Sequence, residues 1–69
     1  MTATTGTWLQ PDGTPVSCRE KLRVLEENHA ELRQMMQDAF EDAVLMGVDE
    51  TFMRTALADM AAGLKSPRA

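Results

Sequence analysis

The sequence has little of what usually stabilises a small protein. It is 69 residues long and contains one cysteine, Cys18, and one histidine, His29. One cysteine cannot form a disulfide within the chain, and zinc sites usually need about four protein ligands. Chains of this size bury only roughly 60% of their unfolded surface and are marginal without a disulfide, a metal or a second subunit. These absences exclude a large single-chain catalytic fold and point to association.

Basic residues are also few. Seven Lys and Arg stand against eleven Asp and Glu, which gives a net charge of −4. Binding to nucleic acid or to anionic membranes depends on clustered positive charge, so neither partner is expected. No apolar run approaches the roughly 18 residues of a membrane-spanning helix, and residues 1–7 lack the features of a signal peptide. We therefore expect a cytoplasmic protein.

Glycine and proline are absent from a long stretch of helix-forming residues, which predicts helix 1 over residues 18–46. Ser17 and Glu20 have the spacing of a capping box at its start, and Gly47 is placed to end it in the left-handed conformation. About 29 residues correspond to a helix of ~43 Å.

A shorter helix 2 is predicted over residues 50–64, with Asp49 as its N-cap and residues 65–69 as a disordered tail. At ~22 Å, helix 2 can cover only the half of helix 1 from Leu32 to Met46. The sequence thus predicts an all-α protein, an antiparallel helical hairpin with one long and one short helix.

Residues 1–17 are predicted to form a frayed tail followed by a Pro-Asp-Gly turn. Apolar residues on both sides of this turn indicate a hooked loop or a short hairpin that leans on the helices. Trp8, the only tryptophan, precedes the turn. It is placed either to pack against the helices or the dimer interface, which we favour, or to anchor a partner.

Eight residues of helix 1 follow the heptad spacing of paired helices. They are Leu22, Leu25, His29, Leu32, Met36, Ala39, Ala43 and Met46. One interpretation is an intramolecular core covered by helix 2 and the loop of residues 8–16. The interpretation we favour is a homodimer, a four-helix bundle of two hairpins. Its interface would contain Leu22, Leu25, His29, Leu32 and Met36.

Charges beside this pattern favour the homodimer. In an antiparallel register that sets His29 against Leu32 of the second copy, Glu26 meets Arg33 of that copy. On the other flank Lys21 meets Asp42 in the same way. Exposed pairs contribute only a few tenths of a kcal/mol, about 0.2–1 at most, so they would set orientation more than affinity.

Glu26 and His29 also form a Glu-x-x-His unit, which places a carboxylate and an imidazole one helical turn apart. Di-iron carboxylate proteins use this unit twice in a four-helix bundle, and a dimer would supply the second copy. An alternative function is therefore an iron or other divalent metal site shared between subunits, with ferroxidase-like chemistry. In the favoured interpretation the protein has no cofactor and His29 is a polar residue that fixes the helix register.

Five acidic residues and no basic residue lie between positions 35 and 50. They are Asp38, Glu41, Asp42, Asp49 and Glu50. Their spacing is not that of a calcium loop, and a solvated helix surface is the ordinary interpretation. The functional interpretation is a docking surface for a basic partner.

The start of helix 1 carries Cys18 and a basic strip of Arg19, Lys21 and Arg23. A helix N-terminus favours the thiolate, but the chain has neither a second cysteine nor a histidine near Cys18, so no catalytic residue is predicted. The basic strip would be the contact in a further alternative, a small helical-hairpin nucleic-acid binder.

The favoured function is a small non-enzymatic protein–protein interaction module, an adaptor or regulatory subunit. The candidate contacts with a protein partner are Trp8, Leu9, Glu41, Asp42, Asp49 and Glu50.

Overall fold

The computed structural model describes residues 8–68 and contains two helices. Helix α1 spans Arg19–Leu45 and helix α2 spans Glu50–Ala62. No strand occurs among residues 8–68, where Leu9 and Pro15 form an isolated antiparallel bridge. The predicted all-α class is confirmed.

The chain divides into two compact units, Met1–Arg33 and Gln34–Ala69, and the boundary falls inside α1. The first unit contains residues 8–16, here called the hook, and the start of α1. The second contains the rest of α1 and all of α2. The predicted fraying of residues 1–7 and the last residue of the predicted tail lie outside the described residues.

Helix α1 begins one residue later than predicted. The Leu22 N–H donates to the Cys18 carbonyl over 2.9 Å, which makes Cys18 the N-cap. Glu20 then lies at the second helical position, one short of the capping-box position, and its carboxylate binds Arg23 over 2.9 Å. The capping box predicted at Ser17 is therefore wrong.

Gly47 terminates α1 as predicted. The last helical residue is Leu45, one position earlier than expected. Gly47 has φ +101°, and its N–H donates to the Val44 carbonyl over 3.0 Å. The Val48 N–H donates to the Ala43 carbonyl over 2.9 Å. This pair of bonds is a Schellman motif, in which a left-handed residue satisfies the last carbonyls of a helix.

Helix α2 is capped by Asp49, whose Oδ2 accepts the Phe52 N–H over 2.8 Å while its own backbone stays extended. The predicted N-cap is confirmed. The helix ends at Ala62, two residues before the predicted end, because the N–H of Gly63 closes the last turn on carbonyls of the preceding residues.

Helix α2 packs against the second half of α1 as a hairpin. Each helix contributes three half-buried side chains, namely Phe40, Ala43 and Val44 from α1 and Met53, Ala56 and Leu57 from α2. The Arg54 guanidinium lies 4.5 Å from the centroid of the Phe40 ring, a cation–π contact between the two helices. No side chain among residues 8–68 is fully buried. The side chains between the two helices are therefore only partly shielded from solvent.

Candidate interaction surfaces

The hook folds back on itself around its Pro-Asp-Gly turn. The Gln10 N–H donates to the Thr14 carbonyl over 2.7 Å, and the Gly13 N–H donates to the Gln10 carbonyl over 2.8 Å. Gly13 has φ +90°, a conformation that glycine adopts without steric cost. The Val16 N–H closes the hook on the Trp8 carbonyl over 2.7 Å. The predicted turn is thus a three-residue hairpin loop with a left-handed glycine.

Polar side chains add a second set of hydrogen bonds inside the hook. The Thr14 hydroxyl and backbone N–H donate to Asp12 Oδ1 over 2.7 and 3.0 Å. These donors hold the pKa of Asp12 below its ordinary value. Gln10 Nε2 donates to the Thr14 hydroxyl over 2.9 Å. The turn is therefore held by side chains as well as by its backbone.

Trp8 attaches the hook to α1. Its indole Nε1 donates to Glu26 Oε2 over 2.8 Å. Its ring stands edge to face with the His29 ring, with centroids 5.9 Å apart and planes at 80°. This is a favourable aromatic geometry. Trp8 and His29 are both half-buried. These contacts bring three predicted site residues, Trp8, Glu26 and His29, into one cluster within a single chain.

The predicted heptad face of α1 is unevenly covered. Leu22, Leu25 and His29 are half-buried, whereas Leu32 is 56% exposed and Met36 39% exposed. Val16 of the hook and Leu25 line the same apolar groove, of about 400 Å³. Leu25 and His29 therefore lie beside the hook, whereas Leu32 and Met36 remain open.

Several large apolar side chains of the helices and their ends are exposed. Among these, Met46 is 80% exposed, and Met60 and Leu64 of the second unit are similarly open. Leu32 and Met46 are therefore uncovered in the single chain, and the place of Leu32 in a dimer interface stays a prediction. Helical periodicity identifies the apolar face but does not show how far a neighbouring helix extends along it.

The acidic residues near Gly47 are exposed, and none of the five pairs with a basic side chain within residues 8–68. Glu41 accepts a hydrogen bond from Gln37 over 2.7 Å, and Asp38 accepts one from Gln34 over 2.9 Å. Asp49 is used as a helix cap. Because no cation in the described part of the chain pairs with them, these carboxylates leave a negative surface at this end of the hairpin.

The basic strip at the start of α1 is partly neutralised. Arg23 bridges Glu20 over 2.9 Å and Glu27 over 3.3 Å, both on its own helix. Sequence spacing alone contains this signal, since residues three and four positions apart are neighbours on a helix. The strip therefore offers fewer unpaired cations than its composition indicates.

Cys18 is exposed at the N-cap of α1. Hydrogen bonds from the backbone N–H groups of Lys21 and Glu20 lower the pKa of its thiol. The helix terminus thus favours the thiolate, as expected from the position of Cys18.

The metal hypothesis gains no further ligands from the described residues of one chain. Among residues 8–68 there is no group of three or more His, Cys, Asp or Glu side chains placed to hold a metal ion. Glu26 and His29 both contact Trp8. A metal site at these two residues would need a second subunit and stays a prediction.

No helix among residues 8–68 is long and apolar enough to cross a membrane.

Comparison with models of known protein families, with curated proteins and with solved structures found no match to this chain.

Proposed function

We propose that this protein is a small non-enzymatic interaction module, an adaptor or regulatory subunit of the cytoplasm that self-associates through α1. The observation that carries the proposal is the combination of no fully buried side chain with many exposed large apolar ones among residues 8–68. The exposed apolar side chains are Leu9, Val24, Leu32, Met35, Met36, Leu45, Met46, Val48, Phe52, Met60 and Leu64.

Single exposed apolar side chains are ordinary on protein surfaces, but contiguous ones mark interfaces. Leu32 and Met36 are four residues apart, so they lie on one face of α1. Burying a side chain of this size contributes roughly 1.5–3 kcal/mol. A second copy that covers this face would supply stabilisation that the single chain lacks.

The proposed protein partner is basic and binds at the acidic end of the hairpin. Glu41, Asp42 and Glu50 are exposed there and form no ion pair in the described part of the chain. Leu9, 63% exposed at the hook, is a separate apolar contact. Trp8 is a weaker candidate for direct contact because it packs on α1.

The test of self-association is sedimentation equilibrium of the wild type, Leu32→Lys and Ala30→Lys. Both variants add one positive charge to an exposed position of the same helix, but residue 30 lies on nearly the opposite face. We expect a dimeric wild type, a dimeric A30K and an L32K that dissociates at least about tenfold more readily, because a buried lysine opposes association.

A wild type that is monomeric at about 1 mM, or equal effects of the two substitutions, would overturn the proposed interface. Native mass spectrometry of protein purified without chelator gives the second test. A dimer that retains iron would replace this proposal with the metal-site alternative at Glu26 and His29.

A further inference from the structure

The hook lies on the face of α1 that the proposed dimer needs. The antiparallel register sets Leu25 and His29 in the interface, and both are half-buried in the single chain. The Trp8 ring contacts His29, and Val16 shares a groove with Leu25. The hook and the helix of a second copy would therefore contact the same side chains of α1.

The space beside His29 limits simultaneous binding. Packed helices lie about 8–10 Å apart, so that seam side chains of one helix fit directly between those of the other. The Trp8 ring lies against the His29 ring, with centroids 5.9 Å apart, so it covers part of a side chain that would line the interface. In the proposed register Leu32 of the second copy would pack beside the same ring. The two contacts therefore compete for His29.

Glu26 has two competing donors. Within the chain its carboxylate accepts the Trp8 Nε1–H over 2.8 Å. In the antiparallel dimer the same carboxylate faces Arg33 of the second copy. A guanidinium is a stronger partner for a carboxylate than a neutral indole N–H. Displacement of the hook thus gives up the indole hydrogen bond and makes a charge-assisted one possible.

We infer that the hook and a second copy of this chain compete for one face of α1, so that the hook restrains self-association until it is displaced. This inference rests on the proposed self-association. It assigns the hook a regulatory role, because a partner that captures the hook would promote dimer formation.

The restraint enters the dimer affinity twice, once for each protomer. For each protomer, the apparent dissociation constant rises in inverse proportion to the fraction of chains whose hook is released. If the packed hook is favoured about tenfold over the released hook in each protomer, dimerisation weakens by about a hundredfold. Small changes in the hook therefore have large effects on association.

The experiment measures the dimer dissociation constant by sedimentation equilibrium for the wild type, Trp8→Ala, Gly13→Ala and Ser17→Ala. W8A removes the contact with α1. G13A leaves Trp8 in place and strains the turn, because Gly13 has φ +90°. S17A is the matched control, since Ser17 directly follows the hook and is exposed. Far-UV circular dichroism checks that the helices are retained in each.

We expect W8A and G13A to tighten dimerisation by roughly ten- to a hundredfold and S17A to change it less than about twofold. In the wild type, the emission of Trp8 should move to longer wavelength as concentration rises and the indole is released. Variants that dimerise as the wild type does, or more weakly, would overturn the competition while leaving self-association intact. If every variant is monomeric at about 1 mM, the proposed self-association fails and this inference fails with it.

Discussion

Trp8 and Glu26 are joined by a hydrogen bond of 2.8 Å across 18 positions of sequence, and this bond fastens the hook to α1. Glu26→Ala should free the indole, shift its emission to longer wavelength and lower the free energy of unfolding by about 0.5–1.5 kcal/mol, a value reduced for solvent exposure. Glu27→Ala is the control, because among residues 8–68 Glu27 pairs with Arg23 alone. Identical emission spectra for the two variants would contradict the role of Glu26.

Gly47 and Gly63 make a matched pair for testing the Schellman turn. Gly47→Ala should cost about 1 kcal/mol or more, since φ is +101° and no atom lies near the added Cβ, so the cost is conformational. Gly63→Ala should be neutral or stabilising by up to about 1 kcal/mol, because its φ of −84° suits alanine. Chemical denaturation followed by circular dichroism measures both. Equal losses would refute the assignment.

Asp49 caps α2 through its side chain, and removal of the cap should loosen the hairpin. Asp49→Ala should lose about 1 kcal/mol, because the Phe52 N–H then has no side-chain acceptor. Asp49→Asn should retain most of the stability, since asparagine is an equally good N-cap. Thermal denaturation compares the two, and an asparagine variant as unstable as the alanine variant would indicate that charge, not capping, is responsible.

Cys18 should react as a thiolate at lower pH than an ordinary cysteine. Backbone donors lower its pKa in the folded chain, so the iodoacetamide reaction should reach its half-maximal rate below about pH 8.5. The midpoint should rise in urea, where the donors are lost. The thiolate stabilises the helix start fully above the unfolded pKa, and this contribution disappears as pH falls through the folded pKa. A midpoint that urea leaves unchanged would contradict the N-cap contact.

Acid should loosen the hook through Asp12. Its pKa is lowered by the Thr14 donors, so the ionised form stabilises the hook above the unfolded pKa of about 3.9. That stabilisation is lost as pH falls through the folded pKa. Trp8 emission should therefore shift to longer wavelength below about pH 4. In Asp12→Ala this acid-induced shift should be smaller, because the variant has no carboxylate at position 12 to protonate. An unchanged titration in the variant would show that Asp12 is not involved.

Local signals in the sequence predict the helices well. Gly47 and Asp49 act through their immediate neighbours, and both perform the expected task in the structure. The start of α1 is displaced because Cys18, a weak capping residue by type, receives the backbone donors that Ser17 was expected to accept. Local patterns fix which segments are helical but leave the ends uncertain by a residue or two.

Non-local packing is harder to predict. The heptad spacing identified Leu22, Leu25 and His29 as an apolar face, and coverage by the hook stood as one of two alternatives. Coverage by the hook depends on the contact of Trp8 with Glu26 and His29. Helical periodicity cannot predict that contact, because Trp8 lies outside the helix. The exposure of Leu32 and Met46 likewise depends on tertiary packing and not on helical spacing.

The lack of a fully buried side chain among residues 8–68 also determines how quickly backbone amides exchange with solvent. Amides of α1 and α2 are protected by helical hydrogen bonds with little tertiary cover, so openings of low free energy should exchange them rapidly with deuterium. Any partner that seals the apolar face of α1 would convert those openings into rare events. Amide exchange therefore offers a residue-by-residue map of where a partner binds.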